Sequence, residues 1–163
     1  MYDATWTLLV ANAPYNALMG ETTAWRGIER NAIWRNLAGP GTRTVHTREE
    51  QAALEAGLVA DLRLTAARYP ADRTLRKLIS DLTTQSPRFT KLWESATPEP
   101  RQQNPSRRKT INHPIIGHIT LDCDTLIATT DDLRLMIYTA EPATEDANRL
   151  ALATVIGTQA LTE

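Results

Sequence analysis

Two alternating segments near the end of the chain constrain its fold more than any other feature. The first is Lys109–Asp124, in which apolar and polar residues alternate from Ile115 to Cys123. The second is Leu133–Pro142, and it follows the turn-forming residues Thr130–Asp132. A side-chain period of two is typical of strands that bury one face. The pattern therefore predicts consecutive antiparallel strands that form a small sheet late in the chain.

The sequence before this sheet is typical of helices. Thr47 and Glu50 have the spacing of a capping box, and the helix that they start is predicted to reach Tyr69. Asp72 is placed to cap a second helix, and Ser86–Pro87 combines an N-cap with a proline at the first helical position of a third. We therefore predict a helical body that precedes the sheet.

The two ends of the chain complete the predicted order of elements. Ala4–Ala11 alternates like a strand, and we expect it to join the later strands because a lone strand cannot bury its face. Asn12 is placed to cap a short helix that ends at Gly20, and Arg30–Ala38 is predicted to form another. Thr144 can cap a final helix. The order predicts an α+β fold with an antiparallel sheet of about four or five strands and a helical body on one side.

Composition and charge narrow the functional classes. The 163 residues suit one domain over 1–163, and the net charge of −1 does not mark the whole chain as a nucleic-acid binder. The single cysteine, Cys123, excludes an internal disulfide and fits a reducing compartment. No apolar run approaches the roughly 20 residues of a membrane span. We therefore expect a cytoplasmic protein that does not act at a membrane.

The chain carries no strong catalytic or metal-binding motif, such as a glycine-rich phosphate loop or a His-Glu-x-x-His pair. His113 and His118 are five residues apart, which places their side chains on opposite faces of one strand. We interpret His113–Pro114 as the entry to a strand, with the imidazole bonded to the backbone, and Cys123 as a buried sheet residue. We predict no cofactor, no metal and no enzymatic activity. An enzyme that uses Cys123 or His113 is the competing interpretation.

A basic cluster lies in the predicted loop between the helical body and the sheet. It consists of Arg101, Arg107, Arg108 and Lys109. The cluster can be interpreted as a phosphate contact or as a solvated loop, and we favour the loop because no aromatic residues are interleaved with the charges.

The apolar and aromatic residues of the helices have two interpretations. They can be ordinary core, or they can form the wall of a ligand chamber, since such chambers are mostly apolar with a few placed polar groups. Arg30 and Asn31 precede Trp34 by one helical turn, and a guanidinium matches a carboxylate head; the competing interpretation is a helix cap and a surface charge. The predicted ligand-binding residues are Arg30, Asn31, Trp34, Leu58, Leu62, Phe89, Trp93 and Tyr138.

Several short motifs occur in a fixed order over nearly the whole chain. They are Trp6 with Asn12–Ala13, Glu29–Asn31 with Trp34, Leu62–Arg63, Ser86–Phe89 with Leu92–Trp93, Lys109 with His113–Pro114 and Gly117, Leu121–Asp122, and Tyr138–Pro142. In these motifs the chain resembles the C-terminal ligand-binding domain of MmyB-like transcription regulators, which belong to the Xre helix-turn-helix class. It departs from the family pattern at Ala96, Cys123 and Ala143, where relatives usually have His, Tyr and Gly.

The resemblance implies a PAS-like fold and a regulatory role. It implies a sensor for a small hydrophobic molecule, with fatty-acid-like ligands known in the family. It also implies contact with DNA only through an N-terminal helix-turn-helix domain, which we expect to be absent from this chain. The alternative is a PAS-like module without a ligand that docks a partner or forms a homodimer, because PAS-like sheets often dimerise.

Overall fold

A computed structural model describes residues 1–96, 108–128 and 131–159, with side chains up to residue 156. The elements in chain order are α1 (Ala13–Met19), 3-10 turns at Thr22–Ala24 and Gly27–Arg30, α2 (Ala32–Leu37), β1 (Thr44–Val45), α3 (Arg48–Arg68), α4 (Arg73–Gln85), α5 (Pro87–Ser95), β2 (Arg108–His113), β3 (Gly117–Ala128), β4 (Leu133–Thr139) and α6 (Glu145–Gln159).

The described strands form one sheet in the order β1–β2–β3–β4, and each strand is antiparallel to its neighbours. Ile111 lies opposite Ile119, and Cys123 lies opposite Tyr138. The predicted inward face of β3 is confirmed, because Ile119 and Leu121 are buried and Cys123 is half-buried. The α+β fold with an antiparallel sheet is therefore confirmed.

The interpretation of His113–Pro114 as a strand entry is wrong. His113 is the last residue of β2, and the following residues form the turn of a hairpin that leads into β3. Nδ1 of His113 accepts the backbone N–H groups of Ile115 and Ile116, both at 3.2 Å. Gly117 closes the turn with a φ of 73°, which favours glycine. The expectation that the imidazole bonds to the backbone is confirmed.

The predicted strand Ala4–Ala11 is also wrong, because this segment is a looped chain with isolated bridges only. Oδ1 of Asp3 accepts the backbone N–H groups of Thr5 (2.8 Å) and Thr7 (2.9 Å). Such local side-chain bonds compete with strand pairing. Trp6 adopts a φ of 64°, which interrupts an extended backbone. The chain meets β4 at Arg134, through an isolated bridge from Tyr2 and through the guanidinium, which lies over the ring of Trp6.

The predicted helix caps are confirmed. Thr47 and Glu50 form a reciprocal capping box at the start of α3, and Asp72, Ser86 and Asn12 cap α4, α5 and α1. The helix predicted at Arg30–Ala38 is shorter than expected. It starts at Ala32 because Asn31 is the N-cap, and Arg30 belongs to the preceding 3-10 turn.

The core has two apolar parts, which meet near the N-terminal segment. The sheet cluster, under α1 and α6, consists of Leu18, Met19, Ile111, Ile116, Ile119, Leu121 and Ala153. The helical cluster, built from α2 to α5, consists of Ile33, Leu58, Val59, Leu62, Leu75, Leu82 and Phe89. Burial of each large side chain contributes about 1.5–3 kcal/mol, so both parts stabilise the fold.

Candidate ligand-binding site

The predicted wall of the ligand chamber divides between the two clusters. Leu58, Leu62 and Phe89 belong to the helical cluster, and Trp34 and Trp93 pack against it. The rings of Phe89 and Trp93 are stacked, with centroids 5.5 Å apart. The sixth predicted wall residue, Tyr138 of β4, packs instead against the sheet cluster. The predicted wall residues therefore do not form one continuous surface.

Arg30, predicted to bind a ligand head, binds the N-terminal segment. Its Nε donates to the carbonyl oxygen of Leu8 at 2.8 Å, and its Nη2 donates to that of Leu9 at 2.8 Å. In return, the backbone N–H of Leu8 donates to the carbonyl oxygen of Arg30 at 2.9 Å. These contacts hold residues 8 and 9 against the start of α2.

Asn31 is buried, with 1% of its surface exposed, and its side chain has no free hydrogen-bonding position. Its Nδ2 donates to Thr5 O (2.8 Å) and to Thr7 Oγ1 (3.1 Å). Its Oδ1 accepts the backbone N–H groups of Ile33 (3.0 Å) and Trp34 (3.1 Å). Two donors and two lone pairs are all that an amide offers. A ligand contact at Asn31 stays a prediction, and it requires one of these bonds to be released.

A group of polar side chains lies on the inner side of the sheet, which we call the tyrosine cluster: Tyr2, Tyr15, Tyr138 and Cys123. The hydroxyl groups of Tyr2 and Tyr15 are 2.7 Å apart, and the rings of Tyr15 and Tyr138 have centroids 6.0 Å apart. Tyr138 lies directly opposite Cys123 on the neighbouring strand. The ring of Tyr2 is 5.9 Å from that of Trp6, which packs against the helical cluster. The tyrosine cluster therefore lies where the two apolar clusters meet.

The groups of the tyrosine cluster are held in their protonated form. Burial raises the pKa of Tyr2, of Tyr15 and of Tyr138, and the last lies well above its ordinary value. Burial likewise raises the pKa of the Cys123 thiol, although the charge of Lys109 opposes this effect. A thiol with a raised pKa is a poor nucleophile. At neutral pH the cluster therefore offers hydrogen-bond donors and no negative charge.

Arg35 on α2 adds a positive charge beside the tyrosine cluster. Its guanidinium lies 3.8 Å from the ring centroid of Trp25, and its Nη2 donates to the carbonyl oxygen of Gly41 at 2.9 Å. The charge of Arg35 lowers the pKa of Tyr2 and of Tyr15, although burial outweighs it. Within the part of the chain that the structure describes, Arg35 Nε is the one buried side-chain nitrogen or oxygen without a hydrogen-bond partner.

Sequence reasoning missed Tyr2, Tyr15 and Arg35 as site residues. They come from the N-terminal segment, α1 and α2, so no spacing in the sequence brings them together. One available signal was scarcity, because three of the four tyrosines in the chain meet here. A second signal was Cys123, already identified as a departure from the family pattern.

The structure also bears on metal binding, membrane spans and the basic cluster. No group of three or more His, Cys, Asp and Glu side chains that could hold a metal ion occurs in the described residues. The described helices include none that is long and apolar enough to cross a membrane.

Of the basic cluster, Arg101 and Arg107 lie outside the described residues. Arg108 is part of β2, and its Nε lies 3.8 Å from Asp122 Oδ1.

Comparison with known proteins supplies one match. The family model described as the MmyB-like transcription regulator ligand binding domain matches residues 1–153. No curated protein and no solved structure matches the chain. The matched residues include both apolar clusters and the whole tyrosine cluster.

Proposed function

Since the chain belongs to the MmyB-like transcription regulator ligand-binding domain family, we propose that it senses a hydrophobic small molecule, of the fatty-acid type, for a helix-turn-helix regulator. Contact with DNA would then be made by a helix-turn-helix domain attached to it. The regulatory class rests on the family, the fatty-acid type of ligand follows from the resemblance, and the chemistry of the site supports it. We expect the domain to work in the cytoplasm and without a cofactor or catalytic activity.

One observation carries the choice of ligand: donors that are neutral at physiological pH lie where two apolar clusters meet. Binding sites for small molecules are typically apolar with a few convergent polar groups, and this boundary has that composition. The proposed apolar wall consists of Trp34, Leu58, Leu62, Phe89 and Trp93 on the helical side and Tyr138 on the sheet side. In this proposal Arg30 and Asn31 support the site by holding the N-terminal segment.

The N-terminal segment can transmit ligand binding from the site to the rest of the domain. Tyr2 contributes a hydroxyl to the tyrosine cluster, and its backbone N–H donates to Arg134 O at 2.8 Å. A ligand can shift a conformational equilibrium only by binding the two states with different affinity. A ligand that moves Tyr2 binds the two states with different affinity, because the movement changes both the site and the position of residues 1–8.

The test is thermal unfolding of the delipidated domain with a panel of fatty acids and aromatic compounds. A ligand present at a hundred times its Kd is expected to raise the Tm of a domain of this size by about 5–10 °C. Native mass spectrometry of the protein before delipidation is expected to show a bound small molecule. Failure of every compound to raise the Tm, together with an empty protein in native mass spectrometry, would contradict the proposal.

A second candidate function, homodimerisation, is favoured by the outer face of the sheet. Leu126, Leu135 and Ile137 are exposed there, by 55%, 45% and 36%, and Leu126 lies directly opposite Leu135. One apolar patch suffices for a two-fold symmetric dimer, because both subunits use the same surface. Light scattering of the wild type and of Leu135→Lys tests this function. A monomeric wild type would contradict it.

A further inference from the structure

Arg35 differs from Arg30 and Asn31 in its hydrogen bonds. Nε and Nη2 of Arg30 donate to backbone carbonyl oxygens, and the amide of Asn31 makes four hydrogen bonds. Arg35 Nε, in contrast, is buried and has no partner among the described residues. A buried donor without a partner is costly, and the cost is larger for a charged group, so such an atom in a native protein needs an explanation. A ligand that supplies an acceptor for Arg35 Nε would be such an explanation.

The guanidinium of Arg35 is held in place without the use of Nε. Trp25 lies against one face of it at 3.8 Å, and Gly41 O accepts from Nη2 at 2.9 Å. A side chain fixed by such contacts loses little conformational freedom when it binds a ligand. The carboxylate that acts on the charge of Arg35, Glu29, is exposed and already accepts the backbone N–H of Arg26 at 2.9 Å. Arg35 is therefore preorganised and keeps a donor free.

The hydroxyl pair of Tyr2 and Tyr15 supplies a second donor. The two hydroxyl groups share one hydrogen bond of 2.7 Å, in which either atom can donate. Because the pair has two protons and that bond uses one, one O–H remains to donate elsewhere. The pair lies close to α2, because the ring of Tyr2 packs 5.9 Å from that of Trp6, and the carbonyl oxygen of Trp6 accepts the backbone N–H of Ala32, three residues before Arg35.

We infer that Arg35 Nε and the free hydroxyl proton of the Tyr2–Tyr15 pair bind the carboxylate head of an amphipathic ligand. The inference rests on the proposed function and deepens it. A fixed positive charge beside a neutral O–H favours an anionic head that accepts hydrogen bonds from both groups over a neutral alcohol, and it repels a protonated amine. One guanidinium balances one negative charge, and a dianion such as a phosphate monoester would bring an uncompensated charge into a half-buried site. Arg35 therefore determines specificity for a monoanion.

The experiment compares two probes that differ only in their heads, dodecanoate and dodecan-1-ol, by calorimetric titration of the delipidated domain. The wild type is expected to bind dodecanoate at least about tenfold more tightly than dodecan-1-ol. Arg35→Gln is expected to weaken dodecanoate binding by about tenfold to a hundredfold and to leave dodecan-1-ol unchanged. Arg76→Gln, which removes an exposed arginine of α4, is the matched control and is expected to change neither affinity.

Tyr15→Phe is the second variant, because it keeps the ring and removes only the hydroxyl. It is expected to weaken dodecanoate binding about fivefold to tenfold, and it decides the inference if Arg35→Gln does not fold by circular dichroism. Equal affinity of the wild type for both probes, or Arg35→Gln and Tyr15→Phe that behave like Arg76→Gln, would overturn the head-group assignment and leave the proposed function intact. Failure of the wild type to bind either probe would overturn both.

Discussion

Arg134 and Arg35 each stack on a tryptophan, but their surroundings differ. Arg134 is 6% exposed and lies over Trp6 at 5.1 Å, and its Nη2 pairs with Asp61 Oδ2 at 2.6 Å. Its Nη1 donates to two backbone carbonyl oxygens, so the group joins α3, β4 and the N-terminal segment. Arg35 has a similar stack on Trp25, but among the described residues it has no carboxylate partner in contact, and its buried Nε has no acceptor.

The difference separates a structural arginine from a binding one. A buried guanidinium whose charge is paired, and whose two Nη groups bond to neighbouring elements, holds the fold together. A guanidinium that is held in place and keeps a donor free is suited to recognition. We therefore expect changes around Arg134 to reduce stability and changes around Arg35 to reduce affinity.

The largest expected effect follows from removal of the carboxylate that serves Arg134. Asp61→Ala leaves the buried charge of Arg134 unpaired and removes the acceptor of Trp6 Nε1, which lies 2.6 Å from Asp61 Oδ2. Because Asp61 is itself one-third exposed, we expect a loss of about 3 kcal/mol in the free energy of unfolding, at the lower end for a buried pair. Urea denaturation measures it.

The matched control for this change is Asp81→Ala. Asp81 pairs with the exposed Lys77 on the same helix at 2.6 Å, and such a pair contributes at most about 0.5 kcal/mol. Equal losses from Asp61→Ala and Asp81→Ala would remove the distinction between the carboxylate partner of the buried Arg134 and that of the exposed Lys77.

The second effect is a fall in the free energy of unfolding at alkaline pH. It is caused by the phenols of the tyrosine cluster, beside Arg35. Burial raises the pKa of its three phenols above the ordinary value, so the folded state binds these protons more tightly than the unfolded state. The stabilisation is complete below about pH 10 and is lost as the pH rises above it, by about 1.4 kcal/mol per pH unit for each phenol. Urea denaturation from pH 9 to pH 11, at about half-unit steps, measures the slope.

Tyr15→Phe sharpens this prediction, since it removes one phenol and keeps the ring. The slope of stability against pH is expected to fall by up to about 1.4 kcal/mol per pH unit, the contribution of one phenol. A slope that does not change would show that Tyr15 titrates normally in the folded protein, which would contradict its burial as a neutral donor.

Much of the fold, but little of the candidate site, could be predicted from the sequence. The caps at Thr47, Asp72 and Ser86 act within four residues, so local chemistry determines them. The strand predicted at Ala4–Ala11 failed because Asp3 bonds the local backbone, a competition that alternation does not reveal.

The candidate site depends on contacts that the sequence does not reveal. Apolar spacing identifies what is buried, and it selected Leu62 and Phe89, which are completely buried in the helical cluster. The hydroxyl pair of Tyr2 and Tyr15 and the free donor of Arg35 depend on contacts between separate elements. Only the three-dimensional arrangement shows which arginine has used its donors.

A third prediction concerns the stability of a variant at Arg35. Arg35→Met removes the contact with Trp25 and the hydrogen bond to Gly41, but it also removes a buried donor without a partner. We expect these effects to offset, with a loss of no more than about 1 kcal/mol in urea denaturation. A loss as large as that from Asp61→Ala would identify Arg35 as structural.

The smallest expected effect is an acid-side loss of stability near Arg134. Hydrogen bonds from Arg68 and then from Tyr69 lower the pKa of Asp132 below its ordinary value. The folded state therefore binds this proton less tightly, and the stabilisation is present above about pH 4 and is lost as the pH falls below it. Asp132→Asn is expected to flatten the fall of the urea midpoint between about pH 4 and pH 2.5. An unchanged profile would contradict the assignment.

The most direct test of the contrast between the two arginines is a crystal structure of the domain with dodecanoate. The account predicts the alkyl chain between the helical cluster and the sheet cluster, with a carboxylate oxygen about 3 Å from Arg35 Nε. A carboxylate bound instead by Arg30, or a ligand outside the boundary between the two clusters, would contradict it.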